Sequence, residues 1–267
     1  MSYQYTPLES LVSDEEIKLS ELVQSTYMNQ TEVQIRGSSL RFNTVSKRTL
    51  WQAVGIDKIE PELLNFIDKL PIESVFFDIG ASNGIFSVYA ASQDLNVYSF
   101  EPEAANFSLL AKNCFLNNKN KHPIKAFNLA ISNSNKIDNM YVEHYEAGAH
   151  NKILGAPKNV GAKHAFKPEH QQACICNKLD DLISLYNLPV PYAIKIDVDG
   201  AEMRVIEGSK YTLQNELLNE IFIEINESDA NDTKAIEILN TYGFEVQRKT
   251  QVQHYEGLFN YELKRAI

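Results

Sequence analysis

The hydrophobic positions after residue 70 fall into two alternating kinds of segment. Short apolar runs at 75–77, 97–100 and 192–196 are typical of strands that are buried on both faces. Segments such as 104–116 lie between them, with apolar residues that recur at helical spacing. Strands that alternate with amphipathic helices predict a parallel sheet with helices on both faces. Right-handed crossovers in such a sheet place ligands at the carboxyl ends of the strands.

The pattern as a whole predicts an α/β, Rossmann-like fold around a mostly parallel, seven-stranded sheet. The predicted strands are 75–77, 97–100, 126–131, 192–196, 220–225, 244–247 and 261–264. The predicted helices between them are 84–92, 104–116, 179–186, 203–213 and 233–242.

The first 70 residues follow a different pattern. They predict a helix, a hairpin and a second helix, at 14–28, 32–36 with 40–43, and 62–70. Pro61 stands where a proline is tolerated, at the start of the second helix. We expect an N-terminal α/β extension, residues 1–70, that covers the active site or forms an interface, followed by the ligand-binding domain, residues 71–267.

An insertion, residues 132–177, interrupts the alternation inside that domain. It predicts strands at 137–144 and 172–177, joined by a polar loop that contains Gly148 and His150. A loop of this length is either functional or loosely ordered.

Composition and charge narrow the function classes. The chain is 44% hydrophobic and 22% charged, as in ordinary globular proteins, and its net charge of −10 disfavours the phosphate backbone of nucleic acids. The first residues lack the basic start and apolar core of a signal peptide, and no run approaches the roughly 18 apolar residues of a membrane span. We therefore expect a cytoplasmic protein without nucleic-acid or membrane partners. Association of identical chains into a homo-oligomer stays open.

Two groups of residues raise the question of a metal site. Cys174 and Cys176 are too close together for the usual zinc spacing, and we expect buried, reduced thiols. Asp197, Asp199 and Glu202 carry the oxygen ligands that divalent cations take, but acids at 199 and 202 more simply begin the next helix, where they suit its dipole. We predict no metal.

The first predicted strand runs into a tight turn, Asp78-Ile79-Gly80-Ala81-Ser82-Asn83-Gly84. Its glycines permit positive φ and close approach of a ligand to the backbone. The pattern D-x-G-x-x-x-G differs from the G-x-G-x-x-G turn that presents helix amides to a dinucleotide pyrophosphate. S-adenosylmethionine has no phosphate, but its ammonium calls for an acceptor, which Asp78 would supply directly or through water. An acid that simply caps the turn is the alternative.

Glu101 and Pro102 follow the second strand, roughly 20 residues after this turn, where an acid can bind ribose hydroxyls. An NAD(P)-dependent oxidoreductase could use the same acid. Glu101 therefore indicates an adenosine-containing ligand without choosing the cofactor.

A lysine and three acids stand where the fourth strand leaves the sheet, in Ile194-Lys195-Ile196-Asp197-Val198-Asp199-Gly200-Ala201-Glu202. Alternate side chains of a strand share a face, so Lys195 and Asp197 are expected to point the same way. We place Asp197 nearest the reacting centre.

Together these blocks resemble the FkbM family of S-adenosylmethionine-dependent methyltransferases. The resemblance extends from the Asp78 turn through Phe100-Glu101-Pro102, Asn128-Leu129-Ala130-Ile131-Ser132 and Leu179-Asp180-Asp181-Leu182 to the Lys195 block and Phe222-Ile223-Glu224. It implies a class I methyltransferase fold and O-methylation, often of sugar or polyketide hydroxyls. Asp199 replaces the glutamate that is common at its position.

The resemblance also implies a cofactor site and an acceptor site. The implied cofactor-binding residues are Asp78, Gly80, Ala81, Ser82, Asn83, Gly84, Glu101 and Pro102, with Ala130 and Ile131 beside the adenine and Asp197 at the methionyl or methyl end. Residues 147–151 are expected over the acceptor. The catalytic candidates are Asp197, Lys195 and His150, with His144 and Glu224 as further possible bases.

We therefore expect an S-adenosylmethionine-dependent O-methyltransferase that acts on a hydroxyl of a sugar or small-molecule natural product. Two alternatives remain open at this point. An NAD(P)-dependent oxidoreductase would share the fold but would need the G-x-G-x-x-G turn. A non-catalytic, ligand-binding descendant of the methyltransferase fold would have lost cofactor residues, whereas the turn is intact here.

Overall fold

The computed structural model describes residues 13–27, 29–119, 121–149, 152–155, 166–253 and 255–266. Its helices are α1 (Asp14–Tyr27), α2 (Lys47–Ile59), α3 (Pro61–Ile67), α4 (Ile85–Ser92), α5 (Ala104–Leu116), α6 (Leu179–Tyr186), α7 (Glu202–Glu207), α8 (Lys210–Gln214) and α9 (Ala230–Thr241). Its strands are β1 (Gln30–Ile35), β2 (Ser38–Asn43), β3 (Val75–Ile79), β4 (Asn96–Phe100), β5 (Lys125–Phe127), β6 (Ala130–Ile131), β7 (Lys136–Val142), β8 (Lys152–Leu154), β9 (His170–Asn177), β10 (Ala193–Ile196), β11 (Glu220–Asn226), β12 (Phe244–Gln251) and β13 (Leu258–Arg265).

The central sheet confirms the predicted Rossmann-like architecture. Among the described residues it has seven strands in the order β12-β13-β11-β10-β3-β4-β5. Neighbours from β11 to β5 pair in parallel, and β13 is antiparallel to both β11 and β12. The chain builds outward from β3 to β5 and then returns to β10 on the other side of β3. This reversal opens a crevice at the carboxyl ends of β3 and β10, which is where ligands bind in such sheets.

The two faces of the sheet carry separate hydrophobic layers. One layer contains Phe77, Ile79, Ile194 and Ile223 together with residues of α6 to α9. The other contains Phe76, Val97, Ala193 and Phe222 with residues of the hairpin and of α2, α3 and α4. The N-terminal segments therefore complete one face of the core. A domain boundary at residue 70 stays a prediction.

Helix α2 was not predicted because its buried face mixes polar residues with Ala53 and Ile56, while three large apolar residues are exposed. Leu50, Trp51 and Val54 are exposed, whereas Thr49 and Gln52 are buried. A search for an apolar face at helical spacing therefore misses it. The start of α2 is set by local hydrogen bonds, because Ser46 caps Thr49 N and the Thr49 hydroxyl accepts a hydrogen bond from Ser46 N.

Two predicted elements are each divided in the structure. The segment 126–131, predicted as one strand, forms two. Strand β5 pairs with β4 in the central sheet, whereas β6 pairs with β9 in a different sheet. The helix predicted over 203–213 is broken between α7 and α8 at Gly208. A Cβ at Gly208 would lie 2.0 Å from the Ser132 carbonyl oxygen, so this glycine lets the chain pass close to the start of the insertion.

The insertion adds three strands to β6 and so forms a second sheet of four described strands, in the order β6-β9-β7-β8. One face of this sheet buries Met140, Leu154, Cys174 and Cys176, and the three cysteines of the chain are free. Strand β8 lies inside the segment that was predicted as a loop, and its position brings Lys152 to the crevice. None of the described helices is both long and apolar enough to cross a membrane.

Candidate active site

The turn after β3 passes directly beside the end of β10. Gly80 has a φ of +82°, and its amide donates a hydrogen bond to the Phe100 carbonyl oxygen at 2.9 Å. A Cβ at Gly80 would lie 1.8 Å from the Asp197 carbonyl oxygen, and a Cβ at Gly84, whose φ is +79°, would lie 2.3 Å from Leu110 Cδ1. Both glycines are therefore required by this turn.

Glu101 is buried where β4 ends and binds the turn through its carboxylate. Ser82 N donates to Glu101 Oε2 at 2.8 Å, and Glu103 N donates to Glu101 Oε1 at 2.8 Å. Burial raises the pKa of Glu101 to about 7, although the two amides and the Lys152 ammonium lower it. Each carboxylate oxygen keeps further capacity to accept a hydrogen bond.

Lys195 lies between two acids at the carboxyl end of the sheet. Its Nζ is 3.2 Å from Asp78 Oδ1 and 3.3 Å from Asp197 Oδ2, and it donates to the Gly80 carbonyl oxygen at 2.7 Å. Burial lowers the pKa of Lys195, but Asp78 and Asp197 outweigh this effect and raise the pKa above its ordinary value. Lys195 and Asp197 share one face, as predicted from strand alternation.

Asp78 is held inside the protein. Besides the ion pair with Lys195, its Oδ2 accepts a hydrogen bond from the Ser87 hydroxyl at 2.5 Å, and Ser99 continues this buried chain. The predicted interaction of Asp78 with a cofactor ammonium stays a prediction.

Two further glutamates lie close to Asp197. Glu60 lies between α2 and α3. Glu224 is the residue of β11 that lies beside Asp197, because Ile196 of β10 pairs with Ile223. Burial, together with repulsion from Asp197, raises the pKa of Glu60 to about 8. Burial raises the pKa of Glu224 well above its ordinary value, and Asp197 and Glu60 add to this effect. These three residues are called the carboxylate cluster below; Glu60 carries no motif by which sequence reasoning could have found it.

The predicted loop over the acceptor is partly described. Gly148 N donates to Asn106 Oδ1 at 2.7 Å, and Gln52 Nε2 donates to the Gly148 carbonyl oxygen at 3.1 Å. Gln52 Oε1 in turn accepts from Asn83 Nδ2 of the turn at 2.8 Å. The insertion, the N-terminal extension and the turn are therefore joined by hydrogen bonds. His150 lies outside the described residues.

The residues predicted beside the adenine line a small, mostly apolar cavity. Its walls include Gly80, Phe100, Pro102, Leu129, Ala130, Ile131, Met140, Lys152, Leu154 and Val198. Phe100 and Pro102 of this cavity flank the buried Glu101 along the chain, and an adenine site here stays a prediction. Among the described residues, no group of three or more His, Cys, Asp or Glu side chains is arranged to hold a metal ion.

Comparison with known proteins identifies the family. The profile of the Methyltransferase FkbM domain matches residues 78–246, more than half of the chain. The chain belongs to this methyltransferase family. Its cofactor is S-adenosylmethionine, and the oxidoreductase alternative is thereby set aside.

The methyltransferase is also similar to individual proteins. It is 21% identical to the hexuronic acid methyltransferase AglP of Haloferax volcanii over 72% of this chain and 73% of that protein. It is 25% identical to Methyltransferase 1 of Beauveria bassiana over 71% of this chain and 83% of that protein. The crystal structure of Methyltransferase FkbM from Methylobacillus flagellatus KT has the same fold, with a TM-score of 0.50 and 14% identity, over 72% of this chain and 45% of that one.

Proposed function

We propose that this methyltransferase methylates a hydroxyl oxygen of a sugar or another small-molecule acceptor, and that Asp197 orients or deprotonates that hydroxyl. The observation that carries the proposal is the exposure of Asp197. Its side chain is 30% exposed, whereas the neighbouring side chains of Asp78 and Lys195 are 1% and 3% exposed. Of these three charged groups, Asp197 is the one that an acceptor can reach.

When bound, S-adenosylmethionine would supply a methyl group on a sulfonium: the acceptor oxygen would bond to the methyl carbon in line with the breaking C–S bond, and S-adenosylhomocysteine would leave. The protein then has to align the acceptor oxygen and accept its proton. General-base assistance of this kind contributes about 10²–10⁴-fold. Lys195 holds the Asp197 carboxylate by their ion pair, which fixes its direction toward the acceptor.

The cofactor side is assigned in the same proposal. The turn from Gly80 to Gly84 takes the methionyl part, Glu101 accepts hydrogen bonds from the ribose hydroxyls, and Ala130 and Ile131 border the adenine. Glu101 suits this role because it is buried at the second strand end and already binds Ser82 of the turn. Asp78 acts through Lys195, with which it is paired.

The carboxylate cluster bears on the choice of acceptor. Burial, to which repulsion by Asp197 adds, raises the pKa values of Glu60 and Glu224. An acceptor carboxylate placed among these groups would meet the same burial and the same repulsion by Asp197. A carbohydrate acceptor accords with the similarity to the hexuronic acid methyltransferase, but the charges favour a neutral or amine-bearing sugar over a uronic acid.

The test is a transfer assay with methyl-labelled S-adenosylmethionine against matched neutral sugars, amino sugars, uronic acids and small phenols. The methylated atom is then located by NMR. We expect an O-methyl product, and we expect Asp197→Asn to lower turnover at saturating cofactor by about 10² or more. His150→Ala is expected to cost much less. Asp181→Asn on α6 is the control, because it removes the same charge from another part of the molecule.

Two results would contradict the proposal. Methylation at nitrogen or carbon would exclude the hydroxyl assignment. Normal turnover of Asp197→Asn with an inactive His150→Ala would make the histidine the base.

A further inference from the structure

The insertion supplies a buried charge to the cofactor side of the crevice. Lys152 of β8 is buried, and its Nζ lies 2.6 Å from Glu103 Oε2, with both side chains almost fully shielded from solvent. The same lysine lines the small cavity beside Gly80 and Ala130. No motif points to Lys152, because it comes from a short strand inside the predicted loop.

Glu103 connects this lysine to Glu101. The Glu103 carboxylate caps α5 by accepting from Ala105 N at 2.9 Å and from Asn106 N at 2.8 Å. Its own amide donates to Glu101 Oε1. The Lys152 ammonium, which is paired with Glu103, therefore also lies near enough to Glu101 to lower its pKa, and Glu101 in turn binds the Ser82 amide of the turn.

Strand β8 is held in this place by further contacts. Lys152 N donates to Asp199 Oδ2 at 3.2 Å, and Arg204 donates to the Leu154 carbonyl oxygen at 3.3 Å. The position of the ammonium is thus fixed by backbone contacts on the β10 side of the crevice and by Glu103 on the β4 side.

We propose that Lys152 is a positioning residue of the cofactor site, through which the insertion holds Glu103 and Glu101 in the ionised arrangement that binds the ribose hydroxyls. This inference rests on the ribose role of Glu101 in the proposed function. Lys152 acts through these two glutamates and takes no part in methyl transfer.

The physical reason is the cost of an unbalanced buried charge. Burial raises the pKa of Glu101, and the Lys152 ammonium is among the groups that lower it again. Without the ammonium, the pKa of Glu101 rises further and a larger share of Glu101 is protonated at pH 7. A protonated carboxyl loses acceptor capacity toward the amides and the ribose. Among the described residues, the titratable groups that lie beside Glu101 and Lys152 are Glu103, Asp199 and Cys174.

The experiment measures the affinity of the full-length protein for S-adenosylhomocysteine by calorimetry between pH 6 and pH 9. In the wild type, affinity is expected to rise with pH through about 7 as Glu101 ionises. Lys152→Met is expected to bind about tenfold more weakly at pH 7, with the rise displaced to higher pH, so that the difference shrinks toward pH 9. Lys152→Arg keeps the charge and is expected to restore most of the affinity.

Controls separate this inference from the proposed function. Lys136→Met removes a lysine from β7 of the same small sheet and is expected to bind normally. If Lys152→Met does not fold, Lys152→Gln, which keeps a donor for Glu103 but not the charge, carries the test. Normal affinity of the charge-removing variant, or a loss that is equal at every pH, overturns the role of Lys152. Normal affinity of Glu101→Gln instead overturns the ribose assignment itself.

Discussion

Replacement of Gly80 by alanine tests the close approach between the cofactor turn and the end of β10. An alanine at a φ of +82° costs about 1 kcal/mol relative to glycine. Its Cβ would also lie 1.8 Å from the Asp197 carbonyl oxygen, so one of the two backbones must move. Overpacking of this kind costs typically about 1–3 kcal/mol. We therefore expect Gly80→Ala to lose about 2–4 kcal/mol of folding free energy, or roughly 5–15 °C in Tm for a chain of this size.

Gly37→Ala is the matched control. Gly37 has a φ of +88°, but a Cβ there would meet nothing within 4 Å. Gly37→Ala therefore loses stability only through the unfavourable backbone conformation of alanine, without overpacking. Urea unfolding gives the difference in stability between the two variants, and calorimetry with S-adenosylhomocysteine gives their cofactor affinity. Gly80→Ala is expected to be the less stable variant and the weaker binder. Equal losses of stability, with normal affinity in both, would refute the reasoning.

The remaining predictions concern single carboxylates near the crevice. Glu101→Ala should weaken S-adenosylhomocysteine binding more than tenfold, since a charge-assisted hydrogen bond is worth about 1.5–3 kcal/mol; a loss under twofold would reduce Glu101 to a cap of the strand end. The pKa of Glu60 is about 8 in the folded protein, above its ordinary value. Between about pH 5 and pH 8 the native state therefore holds a proton that the unfolded chain releases. The free energy of unfolding consequently falls as the pH rises through this range. Glu60→Gln should therefore stabilise the apo protein more at pH 9 than at pH 5 in urea melts, and an equal effect at both pH values would contradict that pKa.

The fold was predictable because the apolar runs that indicate buried strands recur along the chain. Each buried strand of the central sheet carries its own apolar run, so an error in one segment leaves the architecture unchanged. The exceptions have local causes. Helix α2 exposes Leu50, Trp51 and Val54 while it buries polar residues, and Gly208 divides a helix because the Ser132 backbone lies against it.

The site was predictable only where a residue belongs to a strand end. Glu101 and Asp197 follow apolar strands, and the topology then brings them to one crevice. Glu60 and Lys152 reach the same crevice from an interhelical junction and from a three-residue strand. Their chemistry depends on which segment folds over the sheet, and neither residue has a spacing relation to the motifs.

The central claim is that the turn from Asp78 to Gly84 and Glu101 together bind S-adenosylmethionine. Its most direct test is a calorimetric titration of the wild-type protein with S-adenosylhomocysteine and, separately, with NAD. We predict one S-adenosylhomocysteine bound per chain, an affinity that Glu101→Ala weakens more than tenfold, and no binding of NAD. Binding of NAD, or a titration with S-adenosylhomocysteine that gives no saturation, would contradict the account.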